Sequence, residues 1–169
     1  MTKYLLITVV TLSFCQLACG QSAEIYGFFA PGQVRASSNA DLGFGSEFAI
    51  NAGGGAKYIT HSGFGAGIES GIAGPTNDWK YYNFGVISGN GYYVFRQDGK
   101  VEPFVTGGFT HTYGYDAVDR NGGNFGAGIT YWLNKRAGLL LEFRDHVART
   151  EGVTLQLLNA RVGFVLRFR

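Results

Sequence analysis

Cysteine is missing from all but the first twenty residues, where Cys15 and Cys19 stand. That excludes a disulfide scaffold and any thiolate-ligated metal in the rest of the chain. Charge is sparse as well: 15% of residues are Asp, Glu, Lys or Arg, against about 25% in an average soluble domain. The bases form no run or stripe, so nothing points to nucleic acid. Proline occurs three times, and the 27 glycines have no three-residue period, which excludes both collagen and a disordered tract. No segment carries a long helical pattern, and none has the roughly 20 apolar residues of a spanning helix. His61, His111 and His146 lack metal-ligand spacing. The glycines of residues 63–67 recur at period two, not in a phosphate-loop pattern. No metal and no cofactor are expected.

What is present begins with a leader. Residues 1–20 hold one lysine, an apolar run interrupted by threonine and serine, and the small-residue site Ala18-Cys19-Gly20. This reads as a signal peptide with Gln21 as the first mature residue. The competing readings are an uncleaved anchor and lipid attachment at Cys19, although Gln16 stands where a lipobox usually carries leucine. Removing the leader takes away only Lys3, so the formal charge falls from +2 to +1. Residues 21–169 read as one domain without a linker.

The end of that domain carries the clearest pattern. Leu158, Ala160, Val162, Phe164, Leu166 and Phe168 alternate with Asn159, Arg161, Gly163 and Arg167 among the intervening residues. Successive strand side chains point to opposite faces, so this is a strand with one apolar and one charged face. On a helix the arginines would scatter around the axis. About ten two-faced residues match a membrane-spanning strand. Seven more strand candidates precede it: 23–30, halted at Pro31-Gly32; 46–59; 64–74; 81–96; 101–115; 124–133; and 139–147. The alternation of the fourth fails near residues 88–91, which reads as a bulge. Residues 97–100 (QDGK) are the strongest hairpin signal. Connections after the second, fourth and sixth strands are tight. Those after the first, third and fifth are longer and polar, and residues 32–45 are a candidate contact surface.

The fold class read from this is all-β: an eight-stranded antiparallel up-and-down transmembrane β-barrel. A soluble sandwich or lipocalin-like barrel also alternates, but its polar face should be rich in Lys, Glu and Thr. Here that face is mainly glycine and asparagine, as at Gly53, Gly55, Gly65, Gly67 and Gly71, which suits a narrow interior. Lys57, Glu69, Glu102, Glu142, Arg144, Arg161 and Arg167 share it. Buried charges persist only when paired, so these four bases and three acids are candidates for an internal ion-pair network. A two-residue turn at Glu151-Gly152 would set Glu142 against Arg161 and Arg144 against Asn159, with Leu139 beside Phe164 and Leu141 beside Val162. Glu142 and Arg161 are thus the expected interior pair. Aromatic girdles are expected at Tyr58, Phe64, Phe95, Phe104, Tyr131 and Phe168 on the turn side, and at Trp79, Tyr82, Tyr113, Tyr115 and Phe125 on the loop side.

Residues 126–145 (GAGITYWLNKRAGLLLEFRD) resemble the sixth and seventh strands of the small outer-membrane barrels of the OmpA or OmpX type, and the likeness covers their whole barrel domain. Arg161, Gly163, Leu166 and Phe168 are similar to that family's assembly signal, except that Arg169 follows the aromatic. The resemblance implies an outer-membrane location, recognition of the last strand by the insertion machinery, and contact with outer-membrane lipid and lipopolysaccharide. No peptidoglycan-binding domain is expected after the barrel, so the wall-tethering role of longer relatives is not implied. The expected function is a monomeric integral barrel with a structural or surface-interaction role, an unknown surface ligand, no catalysis, and an interior filled by polar and charged side chains. The alternatives are a narrow channel or a lipid A-modifying enzyme. The enzyme would use His111, but Tyr113 stands where such enzymes of this fold carry serine.

Overall fold

Strands of this composition have one wall of large apolar groups and one of glycine and polar groups, and curling the sheet gives each wall its own medium. The computed structural model describes residues 22–37, 46–114, 119–150 and 153–168. The leader, residues 38–45, Tyr115, the Glu151-Gly152 turn and Arg169 lie outside them. The strands are β1 (Ser22–Ala36), β2 (Ser46–Ile59), β3 (Phe64–Pro75), β4 (Phe84–Val94), β5 (Val101–Tyr113), β6 (Arg120–Trp132), β7 (Ala137–Thr150) and β8 (Val153–Phe168), with a single turn of helix, α1 (Trp79–Tyr82), before β4. Each pairs antiparallel with its sequence neighbours, and β1 pairs with β8 to close the barrel. Following the register once around leads from Ile25 through Ala56, Ile68, Gly89, Phe109, Gly123, Val147 and Gln156 to Arg35, ten residues further along β1. Such a stagger in eight strands gives a tilt of about 40° and an interior that side chains can fill.

The outer wall is apolar. Phe29, Ile68, Phe109, Phe125, Phe143 and Val162 all stand exposed on it, an arrangement that water would penalise and lipid would not. No helix among the described residues is long and apolar enough to cross a membrane; the strands do so instead.

Several details correct the sequence reading. β1 does not stop at Pro31-Gly32. Its ladder to β8 skips residues 30–31 but resumes in register, and Pro31 stays opposite Ile50 of β2. A closed barrel supports a proline from its other neighbour, while a side chain at Gly32 would collide with the backbone at Leu158 and Asn159. Residues 32–36 of the expected loop therefore belong to β1. β4 has no bulge: its register with β3 and β5 is unbroken. The alternation fails because Phe84, Val86, Tyr92 and Val94 point inward while Gly89 and Gly91 face out, so apolarity no longer marks the outer wall. Residues 81–82 belong to α1, and β6 begins at Arg120 inside the expected polar loop.

Candidate functional site

The lumen fills in three layers. At the end holding the three tight turns, Arg167 reaches across the barrel: Nε donates to Glu24 Oε1 at 2.8 Å and Nη1 to Glu102 Oε1 at 3.1 Å. Lys57 Nζ lies 3.1 Å from Glu24 Oε2. Both cations also rest on aromatic faces. The Arg167 guanidinium is 3.7 Å from the centre of the Trp132 ring, and Lys57 Nζ is 4.9 Å from that of Phe104. Phe104 is therefore a lumen residue and not part of an outer girdle. Tyr82 likewise is half-buried and packs against the interior at the opposite end.

The middle layer centres on Glu69. Both its oxygens accept from Arg161 Nη1 at 3.0 Å, Oε2 accepts from Tyr26 Oη at 2.9 Å, and Arg144 Nη2 stands 3.8 Å away. A carboxylate has no proton to give, so Tyr26 donates to it and in turn accepts from Tyr92 Oη at 3.0 Å. Arg144 donates to Glu142 Oε1 at 2.6 Å and to Asn124 Oδ1 at 2.6 Å. Arg161 donates to His146 Nε2 at 2.8 Å. Arginine cannot accept, so the His146 proton sits on Nδ1 and is given to Thr110 Oγ1, 3.1 Å away. Thr110 also accepts from Asn124 Nδ2 at 2.8 Å and so donates to Ser88 Oγ at 2.9 Å.

The β7–β8 register does place Glu142 opposite Arg161, Arg144 opposite Asn159, Leu139 opposite Phe164 and Leu141 opposite Val162. Glu142 and Arg161 lie 3.8 Å apart, but each has a nearer ionic partner. All seven charged residues singled out in the sequence face the lumen and are buried. The sequence reading missed Glu24, which brings these two layers to four acids and four bases. It also missed His146, Asn124, Tyr26 and Tyr92 as members of the network.

The third layer corrects the expectation of a polar interior throughout. At the loop end Val34, Ala49, Ala73, Phe84, Val86, Ala148, Leu155 and Leu157 form a buried apolar cluster. A second apolar cluster, including Ile59, Val94, Trp132, Leu140 and Val165, packs among the turn-end charges. At the loop end the outer wall becomes partly polar in compensation: Gln33 donates to Ser46, Arg35 to Gln33, and Gln156 to Asp145.

Glycine provides the space for these side chains. A Cβ at Gly126 would stand 2.9 Å from both Arg144 Nε and Glu142 Oε1, and one at Gly55 would stand 2.7 Å from Tyr26 Oη. Gly126→Val is expected to destabilise the folded barrel by about 1–3 kcal/mol through overpacking, read as a lower urea midpoint in micelles. An unchanged midpoint would show that the network yields freely.

His111, the candidate for catalysis, is on the outer wall. Its Nδ1 is 3.0 Å from Asn121 Oδ1 and its ring stacks on Tyr113. Thr112, the neighbouring hydroxyl, is buried and donates to Arg120 O at 3.4 Å. Asp119 Oδ1 stands 4.0 Å from His111 Nε2, while the residue two on from the histidine is Tyr113 where a serine would be needed. Of the assembly-signal residues, Leu166 and Phe168 project outward, Arg161 is in the lumen, and Gly163 lies against the β1 backbone at Gly27.

No protein-family model and no curated protein matches the sequence. Solved structures do share the fold. Neisserial surface protein A aligns with a TM-score of 0.68 at 15% identity, covering 88% of this chain and 99% of that one. The attachment invasion locus protein Ail of Yersinia pestis aligns at 0.57 and 15%, covering 88% and 99%. The outer membrane protein OprG from Pseudomonas aeruginosa aligns at 0.52 and 12%, covering 89% and 96%. At such identities the likeness establishes the architecture, that of the small eight-stranded outer-membrane barrels.

Proposed function

We propose that this outer-membrane barrel is a sealed, non-catalytic monomer whose role is structural or surface interaction, with its loop end outward and its turn end facing the periplasm. The supporting observation is the lumen: four acids and four bases locked together, with an apolar layer above them and apolar side chains packed among those at the turn end. Side chains packed in this way argue against an aqueous path, and Tyr113 stands two residues after His111 where a serine would be needed for catalysis. A narrow channel is the competing reading, and planar-bilayer recording separates the two. The wild-type barrel is expected to give no steady conductance; a reproducible single-channel current would sink the sealed-lumen reading.

In this reading the outer wall contacts outer-membrane lipid and lipopolysaccharide, and the insertion machinery recognises Arg161, Gly163, Leu166 and Phe168 on β8. Phe168 and Leu166 are available to a receptor because they stand exposed on the outer wall. Phe168→Ser is expected to slow insertion severalfold in cells, with unfolded protein accumulating in the periplasm, while the purified variant still folds spontaneously in detergent. Normal insertion of the variant would remove β8 from that role.

A further inference from the structure

The two ends of the barrel differ in charge. Among the described residues, the loop end balances Arg35, Lys80, Arg120 and Arg149 with Glu47, Asp78, Asp119 and Asp145. At the turn end, Arg96 and Lys100 stand in the β4–β5 turn, and Lys135 and Arg136 in the β6–β7 turn, all exposed. Asp98 is the acid among them, and its backbone N–H donates to Glu102 Oε1 at 2.9 Å. The third turn, at residues 60–63, has neither lysine nor arginine. Among the described residues the exposed basic charge of the turns is thus confined to one side.

The two basic turns are physically joined, because Trp132 N donates to Lys100 O at 2.8 Å. Between them opens a cup of about 480 Å³ lined by Asp98, Gly99, Lys100, Asn134 and Lys135, with Trp132 and Arg167 also on its wall. Exposed Phe95, Val101 and Leu133 stand on the adjoining outer wall, and Lys100 Nζ lies 5.2 Å from the centre of the Tyr131 ring. Cations held beside a cup, next to an apolar wall, match a molecule with an anionic head and acyl chains.

We propose that the β4–β5 and β6–β7 turns form a binding site for the headgroup of an anionic glycerophospholipid in the leaflet at the turn end. Lys100 and Lys135 approach its phosphate from opposite sides of the cup, Arg96 and Arg136 extend the field, and the acyl chains run along Phe95 and Leu133. This site rests on the membrane-barrel reading with the turn end inward.

The test uses the full mature barrel in nanodiscs of equal phosphatidylglycerol and phosphatidylcholine with matched chains, and native mass spectrometry of the lipids it retains. The wild type is expected to enrich phosphatidylglycerol about fivefold or more, since each cation near a membrane surface contributes an attraction of that order. K100Q/K135Q/R136Q is expected to fall to parity, while R35Q/K80Q/R149Q, with the same change in net charge, keeps the preference. Salt at about 1 M, where the screening length is about 3 Å, should abolish the preference in the wild type without any substitution. Parity in the wild type, retention by the turn variant, or equal loss in both variants would overturn the site. So would binding of soluble murein fragments at these turns without lipid preference. Heat-modifiable gel mobility of the same samples reports the barrel itself, so a chain that never forms one counts against the membrane-barrel reading and not against the headgroup site.

Discussion

Replacing Glu69 by alanine is expected to destabilise the folded barrel by about 3–5 kcal/mol, the usual consequence of removing one partner from a buried ion pair. Glu69 is the junction of the middle layer: it accepts from Arg161 and Tyr26 and stands within ionic range of Arg144. Without it, two guanidinium groups share Glu142, and the lumen carries an uncompensated positive charge in surroundings that screen it poorly. The Tyr26 hydroxyl loses its acceptor as well. Urea unfolding in detergent micelles, followed by heat-modifiable mobility, reads the change directly. A Glu69→Ala, Arg161→Met double variant should recover much of the loss, because it removes the stranded charge together with its partner. A single variant within about 1 kcal/mol of the wild type would show that Glu69 is replaceable by water, contrary to the network described.

Phe143→Arg is expected to cost about 2–4 kcal/mol of stability in a bilayer, the range for a basic residue on the lipid face near the midplane. The next residue shows why position decides. Arg144 is already an arginine, 1% exposed and paired with Glu142, whereas Phe143 is 71% exposed on the outer wall. One step along the strand turns a stabilising cation into a destabilising one, because period two exchanges lumen for lipid. Folding yield into lipid vesicles should fall for F143R and be nearly unchanged for Phe143→Leu. Equal yields for the two would mean that this side of β7 does not face acyl chains, and the transmembrane placement would fail with it.

How far the fold was legible depended on whether apolarity marked one wall only. From Leu158 to Phe164 of β8 it does: Leu158, Val162 and Phe164 are outward and Asn159 and Arg161 inward, and both the strand and its register could be read, although beyond this stretch Leu155, Leu157 and Val165 also turn to the lumen. On β4 it does not, since the lumen takes Tyr92 and Val94 while the outer wall takes Gly89 and Gly91. There an unbroken strand looked like a bulged one. β1 failed for a related reason, because Tyr26 and Phe28 fill the lumen while Ile25 and Phe29 line the wall. Aromatics at both parities hid the facing of Glu24. A charge count held the missing signal: four inward bases against three inward acids left one base unpaired, and β1 contains a single acid. The geometry of the network was beyond the sequence. Glu69 and Arg161 are 92 residues apart and meet across the lumen rather than along a shared ladder, so no neighbouring-strand register brings them together.

The contact between Arg167 and Glu24 spans 143 residues, from the last strand to the first. While the chain is being made, or held by a chaperone, every strand but β8 can be present and Glu24 still lacks that cation. Such an intermediate has two open sheet edges and a lumen whose acids outnumber its bases, because both Arg161 and Arg167 lie on β8. Neither open edges nor surplus charge are tolerated by acyl chains. Pairing of β1 with β8 thus removes both open edges and the surplus acid charge in a single step, and a chain that lacked β8 would bring both to the bilayer.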